Sequence, residues 1–171
     1  MTSQKTKKMK LVNVFGTRPE AAKMCPLVRE LALRPEIEAK VCVTAQHREM
    51  LDQVMAAFQV TADFDLDIMR PSQTLTDITV RALPGVGKVI EAAQPDMVLV
   101  HGDPTTAFVA ALAAFYAKVP VAHVEAGLRS GDRKSPFPEE TNRVLVDQLS
   151  SIWFAQTVEN AQNLSPEGIN S

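Results

Sequence analysis

An α/β fold, with one parallel sheet wound by helices on both faces, follows from three observations in the sequence. Short runs rich in Val, Ile and Phe recur along the chain, segments with helical spacing lie between them, and the runs are apolar on both sides. Strands of that kind belong in a parallel sheet with both faces covered, the doubly wound arrangement. With 171 residues, 46% of them hydrophobic, the chain can bury one sizeable core, and length favours a single domain.

The first nine residues, MTSQKTKKM, are polar and basic and lead into no long apolar segment. They predict a disordered tail over residues 1–9 rather than a signal peptide, with the domain occupying 10–171. Strands are predicted at 10–15, 39–44, 97–100, 119–124 and 152–155, with 64–69 a weaker sixth. Met24, Leu27, Val28 and Leu31 fall at i, i+3, i+4 and i+7, and Met50, Leu51, Val54, Met55 and Phe58 repeat that stripe, so each segment predicts a helix. Over residues 74–93, Pro84 and Gly85 interrupt a helical pattern and predict a kink or a split. Thr105 and Thr106 are placed to open the next helix, while Glu139 and Glu140 follow Pro138 into the first turn of another. There the macrodipole favours anions, a structural placement on these residues alone.

Composition excludes several classes of function. A net charge of -2 with scattered Lys and Arg argues against a nucleic-acid surface, and no stretch reaches membrane-spanning length. Two cysteines, Cys25 in a helical pattern and Cys42 in a strand, read as buried small hydrophobes in a reducing compartment. His47, His101 and His123 are too dispersed for a metal set, so no metal is implied. Neither a P-loop, a dinucleotide fingerprint nor a Gly-x-Ser-x-Gly elbow occurs.

In such a sheet, ligands bind outside the carboxyl ends of the strands. FGTRPE, after the first strand, places a glycine, a hydroxyl, Arg18 and a proline suited to a first helical turn. That is equally a phosphate cradle, which Lys23 one turn on could join, or a capped helix start with a solvated arginine. LVHGDPTT ends a strand in Asp103, for which helix capping is the commoner reason before anything else is considered. Glu125 directly follows VPVAHV; burial at a strand end would raise its pKa towards general acid or base use, with an ion pair to Arg129 the structural alternative.

Together the blocks VFGTRPEAAKMCPLV, VTAQHREMLDQV, LVHGDPTT, AHVEAGLRSGD and PFPEETNR resemble the non-hydrolysing UDP-N-acetylglucosamine 2-epimerases, over about residues 10–164. The resemblance implies the Rossmann-like N-terminal domain of a two-domain glycosyltransferase-B-type fold, with the second domain expected beyond the end of this chain. It implies a cytoplasmic, usually dimeric isomerase that interconverts UDP-N-acetylglucosamine and UDP-N-acetylmannosamine for surface polysaccharides, with no cofactor. By position, Asp103, Glu125 and Glu139 match the family's catalytic carboxylates, and Arg18 and Lys23 its substrate-contacting cations. Gln46 and His47 match a segment that binds an allosteric UDP-N-acetylglucosamine in some relatives. Pro104 departs from the threonine of many relatives and removes a backbone N–H from that loop. Because half the cleft is expected elsewhere, the chain alone is expected to be inactive. The alternative is a non-catalytic sugar-nucleotide-binding or interaction module that keeps the fold; a retaining glycosyltransferase half fits the blocks less well.

Overall fold

A computed structural model describes residues 7–45 and 48–169. Six strands alternate with helices: β1 (Met9–Phe15), α1 (Arg18–Ala32), β2 (Ile37–Val43), α2 (Arg48–Phe58), β3 (Phe64–Asp65), α3 (Leu75–Ala93), β4 (Met97–His101), α4 (Thr105–Tyr116), β5 (Val121–Ala126), α5 (Glu139–Leu149), β6 (Ile152–Ala155) and α6 (Val158–Leu164), followed by a single 3-10 turn. All pairings within the sheet are parallel and the spatial order is β3-β2-β1-β4-β5-β6. The doubly wound sheet expected from the sequence is therefore present.

Alternation along the strands divides the core between the two faces. Val12 and Val14 of β1 join Val98, Val100 and Val121 beneath α3, α4 and α5. Leu11 and Phe15 join Leu99 and Ala122 on the face where Met24 and Cys25 of α1 and Leu51 and Met55 of α2 pack. Cys25 and Cys42 are both buried, and burial pushes the Cys42 thiol up to about 12, far from a reactive thiolate. Among the described residues, no helix is long and apolar enough to cross a membrane.

Several boundaries differ from the sequence-based reading. Of the kink or split predicted at Pro84, the split does not occur: α3 runs continuously over 19 residues. Pro84 lies on its exposed side, where water can meet the carbonyl it leaves without a partner, while Ala82, Val86, Val89 and Ile90 carry the buried stripe across it. The weak strand at 64–69 shortens to Phe64–Asp65, because Asp67 turns into the left-handed region at φ 43°. The strand predicted from residue 119 starts at Val121: Lys118 is left-handed, the Val119 N–H closes α4 on the Ala114 carbonyl, and Pro120 has no N–H. β1 begins at Met9, inside the segment expected to be a tail; residues 1–6 lie outside the described residues.

The turn leaving β5 is fitted to one residue type. Gly127 has φ 76°, and a Cβ there would stand 2.0 Å from the Asn160 carbonyl oxygen, part of the α6 backbone. Gly127→Ala is expected to lower stability by more than about 2 kcal/mol, read by urea denaturation, since a left-handed penalty adds to a backbone collision. An unchanged midpoint would contradict this packing.

Candidate active site

The strand order reverses direction between β1 and β4, and the turns leaving those strands diverge into a crevice. A cleft of about 420 Å³ opens there, lined by Thr17, Arg18, Asp103, Pro104, Pro138 and Glu139 among others. A larger hollow of about 560 Å³, walled by Lys10, Gln94 and Asp96, lies at the opposite edge of the sheet, where helix C-termini rather than N-termini face a ligand. The smaller cleft is therefore the site candidate. Arg18, Asp103 and Glu139, picked out in the sequence from three separate blocks, all line it.

Asp103 is not a helix cap. Pro104 occupies the N-cap position of α4, and the Asp103 carboxylate instead pairs with the Arg143 guanidinium of α5. Arg143 also holds Glu140 at 3.1 Å, and Asn142 Nδ2 donates to the Asp103 carbonyl at 2.9 Å. Glu140 is buried and accepts the backbone N–H groups of Ser130 and Gly131 at 3.0 and 3.2 Å, fixing the loop before α5. The two adjacent glutamates thus differ: Glu139 faces the cleft and Glu140 braces its wall. From sequence Glu140 is placed only as a first-turn anion, and Asn142 and Arg143 are assigned no role; the i, i+3 spacing of Glu140 and Arg143 on one helix face was the available signal.

Glu125 occupies an unusual backbone position. Its φ is 77°, in the left-handed region, and the β5–β6 register shifts between Val124 and Ala126 as a bulge. Strict alternation would send its side chain to the α5 face with Val121 and His123; the bulge re-aims it to Lys23 on α1. Gln156 Nε2 donates to the same carboxylate oxygen at 2.8 Å, and His101 Nε2 lies 3.7 Å from the other. Burial opposes charge on Glu125, but the hydrogen bond and charge of Lys23, the adjacent His101 and the hydrogen bond from Gln156 together outweigh it and hold the carboxyl below its ordinary range. This corrects the expected upward shift. The alternative partner, Arg129, is engaged instead with Asp147 and Glu167.

His101 is buried, with neither ring nitrogen hydrogen-bonded among the described residues, and burial pushes its imidazole down to about 4, so it is neutral at pH 7. Lys23 and Glu125 do not line the cleft itself, but Glu125 adjoins the turn that carries Asp103. A Cβ at Gly102, next to Asp103, would stand 3.1 Å from Glu125 Oε2.

The start of α1 corrects the phosphate-cradle reading. The N–H groups of Gly16 and Thr17 donate to Glu20 Oε2 at 3.0 and 2.8 Å, so the chain's own carboxylate occupies the amides a phosphate would need. Glu20 is 1% exposed, and burial pushes its pKa up to about 7 against those hydrogen bonds. Arg18, exposed at the lip, is the cationic element of this block that the cleft keeps. Sequence reasoning quoted Glu20 without giving it a role; the Thr-x-x-Glu spacing was its signal.

The family model described as UDP-N-acetylglucosamine 2-epimerase matches residues 29–171. The chain belongs to that family. It is 57% identical over 161 residues to the UDP-N-acetylglucosamine 2-epimerase of Salmonella typhimurium (strain LT2), covering 94% of this chain and 43% of that protein. The crystal structure of the Neisseria meningitidis UDP-GlcNAc 2-epimerase bound to UDP-GlcNAc superposes with a TM-score of 0.92 at 54% identity, over 95% of this chain and 44% of that one. The Methanocaldococcus jannaschii enzyme in complex with UDP-GlcNAc and UDP gives 0.89 at 39% identity, over 95% and 44%. The chain therefore spans about 43% of the length of the curated relatives it matches. Its sheet is the Rossmann-like N-terminal domain of the glycosyltransferase-B-type fold.

Within this epimerase-family chain, Gln46 and His47 lie outside the described residues. Among the described residues, no group of three or more His, Cys, Asp or Glu side chains could hold a metal ion.

Two outcomes test these electrostatics. Glu20 carries a raised folded-state pKa, so its stability contribution is full below the ordinary 4.5 and is lost as pH rises through about 7. Glu20→Gln should flatten the pH dependence of stability across that window by on the order of 3 kcal/mol, read by denaturation at a series of pH values. Lys23→Met removes the largest influence that opposes burial, so the Glu125 carboxyl should move upward in a 13C NMR titration. An unmoved midpoint would mean that the Lys23 pair does not set this ionisation.

Proposed function

We propose that this chain supplies one wall of an active site that interconverts UDP-N-acetylglucosamine and UDP-N-acetylmannosamine by expelling UDP and adding it back. The single observation that carries the proposal is the convergence of Arg18, Asp103 and Glu139 on one cleft at the reversal of strand order, with Glu125, paired to Lys23, beside the turn that carries Asp103.

The chemistry demands groups of these kinds. The hydrogen to be moved sits on the carbon bearing the acetamido group, which has no adjacent carbonyl and is weakly acidic. Removing that proton to a carboxylate, as the electrons of the C–H bond form the double bond to the anomeric carbon, breaks the anomeric C–O bond and leaves its electron pair on the departing UDP. The unsaturated 2-acetamidoglucal then takes a proton from a carboxylate on its other face while UDP re-forms the anomeric bond. UDP is conserved, so the reaction is non-hydrolysing.

In this scheme Asp103, Glu125 and Glu139 carry the protons, while Arg18 and Lys23 neutralise the diphosphate as it leaves. The relatives extend well beyond the length matched here, so the rest of the cleft is assigned to the other half of such a protein. The working form is a homodimer in the cytoplasm, as the family resemblance implies.

The test is turnover in D2O by the protein at its natural length, followed by NMR. UDP-N-acetylmannosamine should form with deuterium at C2, and Asp103→Asn should reduce kcat by about 100-fold or more. Retention of protium at C2, or full activity of Asp103→Asn, would overturn the proposal.

A further inference from the structure

His123 and Asp147 enter nothing proposed above, although both are completely buried. His123 stands on the face of β5 that meets α5. Its Nδ1 lies 2.6 Å from Asp147 Oδ1, and its Nε2 lies 2.8 Å from the carbonyl oxygen of Gly102. A carbonyl can only accept, so Nε2 donates to Gly102 while Nδ1 is paired with Asp147. The other Asp147 oxygen accepts the Gly127 N–H at 3.1 Å and Arg129 Nη2 at 2.8 Å.

A core ion pair that only joined a helix to a strand would have no reason to end on turn backbone. Here both ends do. Gly102, left-handed at φ 65°, is the first residue past β4, and its carbonyl belongs to the peptide that leads into Asp103. Gly127 lies two residues beyond Glu125. One carboxylate thus ties together the turns that carry two of the acidic groups, one of them through the imidazole. Asp103 is then held at three levels: its preceding carbonyl by His123, its own carbonyl by Asn142 and its carboxylate by Arg143.

We propose that His123, oriented by Asp147, is a positioning residue that fixes the Gly102–Asp103 peptide and so the place of the Asp103 carboxylate in the cleft. Its catalytic consequence rests on the function proposed above. Proton transfer tolerates little misplacement, about 1 Å costing on the order of 100-fold.

Two variants at the natural length separate positioning from support of the core. In His123→Asn the amide can replace Nδ1 towards Asp147 but stops short of Gly102; in His123→Gln it can reach the Gly102 carbonyl and gives up Asp147. Positioning predicts a loss in kcat of about 100-fold for His123→Asn with KM within about threefold, and at least tenfold more kcat in His123→Gln, whatever the order of their melting temperatures. It also predicts that the Asp103 backbone amide resonance shifts in His123→Asn more than in His123→Gln.

Should either variant fail to fold, the wild-type protein must still show scalar coupling across the hydrogen bond from His123 to the Gly102 carbonyl. Absence of that coupling, an unmoved Asp103 amide, or equal kcat in the two variants would overturn the proposal. Asp103→Asn is measured alongside. If it is inactive while His123→Asn retains wild-type kcat, positioning fails and the epimerase reading stands. If the wild-type protein does not turn over while the amide and coupling results hold, the epimerase reading fails and the structural role of His123 stands.

Discussion

A charge taken out of water must find a partner inside the protein, and α5 is where this chain meets that demand. Glu140, Asn142, Arg143 and Asp147 are all buried, and they reach the loop before the helix or the turns that leave β4 and β5. Removing one partner of a buried pair leaves the other uncompensated, at about 3–5 kcal/mol. The turns around the cleft are therefore held by bonds with direction, whereas the sheet beneath them is held by apolar packing without it. Val146, buried between these polar neighbours, anchors the helix in the core beneath α3 and α4.

The beginning of α1 meets the same demand differently. The amides of Gly16 and Thr17, just before it, are satisfied internally by Glu20, one turn before Lys23 reaches across to Glu125. An anionic ligand at this rim would meet side-chain cations in place of the backbone amides used by many nucleotide-binding folds. Lys23 stands between two claims, the carboxylate it now holds and any diphosphate that enters.

The strands were legible because parallel sheets write themselves as runs apolar on both faces, and the helices because α1 and α2 carry regular stripes. Pro84 does not split α3 because a proline's cost depends on which side of the helix it occupies, and side is fixed only by packing. The residues Arg18, Asp103 and Glu139 could be picked from their blocks, but their partners could not. Arg143 lies 40 positions from Asp103, and nothing local specifies that pairing. For Glu125 the error was one of sign: burial was foreseen correctly, but the bulge that turns the carboxylate towards Lys23 and Gln156 belongs to the β5–β6 register. Glu20 was legible in principle, since its cap needs only a spacing of three.

Glu125 holds a backbone shape that glycine or asparagine would adopt with less strain, and its partner Lys23 is half in solvent, where ion pairs contribute little. Selection for heat resistance alone would thus tend to erase the acid at this position. Stability alone does not account for an acid here, and a consensus or stabilisation campaign on this scaffold should leave position 125 alone.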